Sequence, residues 1–149
     1  MARMPSILLI TFLAAGSVCC QSVEQVEKTP AEVVQALLDA YNTGNLDQLA
    51  ALYAETAAIY ILPGEQPIYS GRPAIRGAYA DHLENNCLGT MGRICPDLHG
   101  EITSWQVLGK WVTTFETVTL EQGKPPLSYV LVYEVQAGQI QNAWFMVDG

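Results

Sequence analysis

His82 and Tyr79 lie three residues apart in Ala78-Tyr79-Ala80-Asp81-His82-Leu83, a spacing that puts both on one face of a helix with Ile75 and Ala78. An imidazole changes charge near neutral pH, and a neighbouring phenol can orient it or share its proton. The pair could therefore run general acid–base chemistry. A single His on an apolar helical face is more often a hydrogen-bonded core or rim residue with no reaction to perform. Tyr133, in the strand-like run Ser128 to Val135, is the third candidate. Tyr79 and Tyr133 each carry an apolar ring and a polar tip, so they could hold a ligand's oxygen, or simply a backbone group.

Other chemistries lack their residues. No Gly-rich phosphate cradle, Gly-x-Ser-x-Gly elbow or His-Glu-x-x-His pair occurs in the chain. Cys87 and Cys95 are separated by seven residues and flanked by His82 and His99. That spacing fits no zinc pattern, so a local disulfide is expected over a metal site. No metal or cofactor is expected.

The elements that must position these side chains can be read in order. Thr29-Pro30-Ala31-Glu32 starts a helix, with Thr29 as cap, Pro30 in the first turn and Glu32 at the third position. Val34, Leu37, Leu38 and Tyr41 form its apolar face, and Asn42-Thr43-Gly44-Asn45 ends it and caps a second helix through Leu46, Leu49, Ala50 and Tyr53. Ala57 to Leu62 reads as a strand stopped by Pro63-Gly64. Pro67 to Gly71 is a loop or small hairpin before the helix that carries His82. Four strands follow: Ile102 to Leu108, Trp111 to Glu121, Ser128 to Val135 and Ile140 to Val147, joined by turns at Gln122–Pro126 and Ala137-Gly138. Helices first and strands after predict an α+β domain, with three N-terminal helices packed on a curved antiparallel sheet.

Residues 1–20 resemble an export signal, with Arg3 ahead of an apolar run from Ile7 to Val18. Twelve apolar residues fall short of the ~20 needed to span a bilayer. The expected organisation is a signal peptide over residues 1–20, a tail over 21–28 and one domain over 29–149. The protein is then periplasmic or secreted. Cys19 and Cys20 raise lipid modification as an alternative, although Gly16-Ser17-Val18 lacks the usual Leu-small-small pattern. The mature chain holds six basic against fifteen acidic residues, a balance that repels phosphate backbones and anionic lipid and excludes nucleic acid as a partner.

The run Tyr41-Asn42-Thr43-Gly44-Asn45-Leu46-Asp47, then Leu52-Tyr53-Ala54-Glu55, Gly71-Arg72-Pro73-Ala74-Ile75-Arg76 and Gly138-Gln139-Ile140 together resemble the nuclear transport factor 2-like superfamily, in its SnoaL-like and ketosteroid isomerase-like branches. The resemblance implies a cone-shaped α+β barrel with one open mouth, frequently dimeric through the outer sheet face. It settles no activity, because the fold serves enzymes, adaptors and binders. Aligned with the isomerases, Leu37 stands at the oxyanion tyrosine, Ile61 at the base and Leu131 at the acid, so that reaction's carboxyls are missing. The epoxide hydrolases' Asp-Arg-Asp cluster is not assembled either, since Arg72 and Arg76 lie off the apolar face.

With Leu131 inward, alternation puts Tyr129, Tyr133 and Val135 inward as well, and the expected inner set continues with Trp111, Thr113, Phe115, Thr117, Ala143, Phe145 and Val147. Leu37, Tyr41, Ile61, Phe115, Leu131 and Phe145 are the expected ligand contacts. Glu116, Val118, Leu120, Val130, Val132, Trp144, Met146 and Asp148 are assigned to the outer face, as a subunit interface. The expected function is binding of a small hydrophobic molecule whose polar end meets His82, Tyr79 and Tyr133. The alternatives are an isomerase or cyclase with His82 as base, and an interaction module whose core fills its own cavity.

Overall fold

The computed structural model describes residues 27–86, 98–120 and 123–147. The expected signal peptide over 1–20, the Cys87 and Cys95 pair, and Asp148 lie outside the described residues. The chain runs α1 (Pro30–Asn42), α2 (Leu46–Ala51), β1 (Tyr53–Ile61), β2 (Tyr69–Ser70), α3 (Arg72–Asn86), β3 (His99–Leu108), β4 (Trp111–Thr119), β5 (Leu127–Gln136) and β6 (Gln139–Val147). The strands form one sheet in the order β2-β1-β6-β5-β4-β3. The expected meander from β3 to β6 is antiparallel, while β1 lies parallel to β6 and makes the sheet mixed.

Local signals set α1 as the sequence suggests. The Thr29 hydroxyl accepts from the Glu32 amide, and the Glu32 carboxylate accepts from the Thr29 amide at 2.7 Å, a complete capping box. Gly44 takes a φ of +65°, which turns the chain into α2, where Asn45 caps the Gln48 amide. Val33, Val34, Leu37 and Ala40 from α1, Leu49 from α2, and Ile75 and Leu83 from α3 bury against Val112, Leu131, Tyr133, Val135, Ile140 and Ala143 of the sheet. Burying one such side chain contributes about 1.5–3 kcal/mol.

Tyr53 departs from its expected place in α2. That helix ends at Ala51, and Tyr53 opens β1, paired with Ile140 and fully buried. The demand to bury its ring beneath α3 overrides the helical spacing.

Two further contacts fix α1 and α3. The Asn42 amide donates to the Gly100 carbonyl at 2.9 Å and its oxygen accepts from the Gly100 amide at 2.7 Å, so one side chain ties the end of α1 to β3. Arg72 reaches the Tyr53 carbonyl and the Glu55 carboxylate, and Arg76 pairs with Asp47 at 2.8 Å. Both arginines thus face away from the core, as expected from their place on α3.

Candidate functional site

Helices α1 and α3 do not seal the concave face of the sheet, and between them lies an open cavity of about 300 Å³. Val34, Leu37, Leu38 and Tyr41 line it from α1, and Ala78, Tyr79 and His82 from α3. The sheet supplies Ile59, Glu116, Val118, Tyr129, Leu131, Tyr133 and Phe145, and Ile61, Ile68 and Tyr69 form an exposed apolar lip. Among the described residues no side chain fills this space. Leu37, Tyr41, Ile61, Leu131 and Phe145 all border this space.

Phe115 does not. The inner set expected on β4 is one residue out of phase: Glu116 pairs with Tyr129, Thr114 with Leu131 and Val112 with Tyr133, which brings Val112, Thr114, Glu116 and Val118 onto the concave face. Trp111, Thr113, Phe115 and Thr117 turn outward, and Phe115 remains 46% exposed. A shift of one residue moves every side chain to the other face. In Trp111-Val112-Thr113-Thr114-Phe115-Glu116-Thr117-Val118 both alternating sets mix apolar and polar types, so the pattern carried no signal for the correct phase. Leu120 likewise packs on the core, whereas Val130, Val132, Trp144 and Met146 stand on the outer face as expected.

This change of phase puts a carboxyl inside the cone, where none was expected. Glu116 is 9% exposed, and its Oε1 accepts from the Thr114 hydroxyl at 2.5 Å and the Tyr133 hydroxyl at 3.2 Å. Burial pushes its pKa up, against the two hydrogen bonds, which pull it down. With both donors on Oε1, a proton taken up would sit on Oε2. Among the described residues no fully buried polar side-chain atom lacks a partner, so Oε2 is not sealed off. Glu116 can thus donate when protonated and accept when ionised, through one oxygen.

The three expected polar residues belong to three separate pairs. The Tyr41 hydroxyl lies 2.9 Å from His82 Nε2, with the two rings stacked at 6.0 Å. The Tyr53 and Tyr79 hydroxyls share a hydrogen bond of 3.0 Å, and Tyr133 serves Glu116. Nε2 of His82 is engaged by Tyr41, and not by Tyr79 or Tyr133 as the expected base arrangement requires. His82 stands exposed at the mouth, yet enough of its ring is withdrawn from water to lower its pKa. Burial raises the pKa of Tyr41, Tyr53 and Tyr133 and pushes Tyr79 up to about 12, so these hydroxyls keep their protons at neutral pH. Among the described residues no three His, Cys, Asp or Glu side chains converge as metal ligands. No described helix is long and apolar enough to cross a membrane.

Among the described residues, a curved six-stranded sheet with three helices over its concave face and an open cavity defines the nuclear transport factor 2-like α+β cone. Solved structures share it. A cystatin-fold protein from Novosphingobium aromaticivorans superposes with a TM-score of 0.63 at 22% identity, covering 79% of this chain and 97% of that one. A putative ketosteroid isomerase from Kribbella flavida gives 0.64 at 17%, covering 80% and 78%. An LEH-like epoxide hydrolase from M. tuberculosis gives 0.59 at 16%, covering 80% and 82%. At these identities the likeness establishes fold alone. No curated protein matches the sequence. The chain belongs to the SnoaL-like domain family, whose pattern it matches over residues 34–143.

Proposed function

We propose that this SnoaL-like domain binds a small, largely apolar molecule in its cone, with the molecule's polar end at the Glu116–Tyr133 floor. The open cavity carries the reading: about 300 Å³ lies at the small end of the range for ligand sites, and its walls are apolar and aromatic around a few polar groups. The exposed lip of Ile61, Ile68 and Tyr69 gives an apolar ligand a matched entrance. Uptake of the non-basic dye N-phenyl-1-naphthylamine, read as a blue-shifted rise in fluorescence, tests this. Ala78→Phe, which places a ring into the space, should abolish the signal while the fold persists by circular dichroism. A wild-type protein that leaves the dye dark, or a filled variant that binds equally well, would refute the pocket.

A second reading, an enzyme that moves a proton on its ligand, is favoured by Glu116. A carboxyl of raised pKa on the cavity wall is better suited to the task than His82, whose Nε2 is already engaged. Turnover that vanishes in Glu116→Gln but survives in His82→Gln would mark it.

We further propose that the protein acts after export, with a Cys87–Cys95 bridge, and that it dimerises through the outer sheet face. Tyr60 and Trp144 stack at 5.4 Å on that face, Trp111 lies 5.8 Å from Trp144, and the exposed Phe115 follows further along β4, an aromatic surface suited to a second copy. Light scattering of wild type and Phe115→Glu decides the dimer, and intact mass before and after reduction decides the bridge.

A further inference from the structure

We propose that the floor of the cone is a recognition site for a small apolar amine, bound as its ammonium ion with Glu116 Oε2 as counter-charge and tyrosine rings as walls. The inference rests on the pocket reading and names the class of ligand within it.

Among the described lining residues Glu116 brings the only carboxyl to the cavity wall, and none is Lys or Arg. A carboxylate ligand such as a fatty acid would therefore set its charge beside a buried acid with no described lining cation to neutralise either, an arrangement that costs both desolvation and repulsion. An ammonium reverses each effect. It supplies the opposite charge that Glu116 lacks among the described residues, whose hydroxyl donors hold Oε1 and leave Oε2 without a hydrogen bond. The pair then forms a charge-assisted hydrogen bond shielded from water.

The walls favour the same charge. Tyr41, Tyr79, Tyr129, Tyr133 and Phe145 surround the space, and the negative face of an aromatic ring attracts a cation. The phenols of Tyr41, Tyr79 and Tyr133 stay neutral at physiological pH, and His82 at the mouth is biased by burial toward its neutral form, so among the described lining residues no fixed positive charge competes. The chain's net charge of −8 draws cations toward the protein at long range.

Calorimetry with three ligands that share one apolar cage separates the possibilities: 1-aminoadamantane, 1-hydroxyadamantane and 1-adamantanecarboxylate, each titrated into wild type and Glu116→Gln at neutral pH. On wild type the amine should bind about tenfold to hundredfold tighter than the alcohol, as a charged hydrogen bond over a neutral one implies, with the carboxylate weakest. Glu116→Gln should bring the amine down to the alcohol's affinity while the alcohol changes little. The wild-type ranking stands as a test even if the variant folds poorly. Equal binding of amine and alcohol, or an amine preference that survives Glu116→Gln, overturns this inference and leaves the pocket reading intact if the naphthylamine dye still enters. Failure of every cage compound and of the dye overturns both.

Discussion

Glu116→Gln should make the protein more stable at alkaline pH and leave it nearly unchanged in acid. Burial raises the carboxyl's pKa above its ordinary 4.5, so the folded state holds a proton that the unfolded chain gives up more readily. Below about pH 4.5 both states are protonated, and Gln, a neutral isostere, behaves much like the acid. As pH rises past that point the unfolded chain ionises first, and wild type loses stability until the folded carboxyl also ionises. Beyond the folded pKa the loss levels off. The loss amounts to about 1.4 kcal/mol for each pH unit by which the folded carboxyl titrates above its ordinary value, and each kcal/mol moves the melting temperature of a domain this size by about 4 °C. Gln carries no such penalty. The melting temperature of Glu116→Gln minus that of wild type should climb from near zero at pH 4 to a plateau at higher pH, and every other titrating group cancels in the difference. Thermal melts of both proteins across that range, followed by circular dichroism, measure it. A difference that stays flat with pH, or falls as pH rises, would show that Glu116 is not the buried, charge-averse group described above.

Asn42→Ala should cost about 2 kcal/mol in urea denaturation, because it strips the buried Gly100 amide and carbonyl of their shared partner. An unchanged midpoint would mean that water replaces both bonds. Tyr53→Phe, which leaves the Tyr79 hydroxyl without its 3.0 Å partner, should cost about 1 kcal/mol by the same measurement. In proton NMR the His82 ring should titrate with a midpoint below 6.5, since partial withdrawal from water disfavours the imidazolium. A midpoint above 6.5 would instead indicate an acidic partner for the ring. The sign for stability follows: a lowered folded pKa leaves His82 neutral without penalty above pH 6.5 and costs stability as pH falls below it.

Elements whose signals are local were legible in the chain. Thr29, Pro30 and Glu32 fix the start of α1 through contacts within one turn, and Gly44 with Asn45 fixes the next boundary for the same reason. The apolar face of α3 follows from helical periodicity, and the meander from β3 to β6 follows from strand-forming runs separated by turns at Gln122–Pro126 and Ala137-Gly138. Most of the cavity's lining could be named from those faces, Leu37, Tyr41, Tyr79, His82, Leu131, Tyr133 and Phe145 among it.

What the sequence determined by itself was therefore the order of elements, the family and the apolar character of the cone. Tertiary structure alone decided the face of β4, and with it whether the cone holds a carboxyl. Both alternating sets of that strand are chemically mixed, so only hydrogen-bond pairing with β5, which sets Thr114 against Leu131 and Glu116 against Tyr129, selects the inward one. The partners of the polar groups were likewise beyond local reading. Tyr41 meets His82 across 41 residues and Tyr133 meets Glu116 across 17, and such contacts exist only once the helices have closed over the sheet.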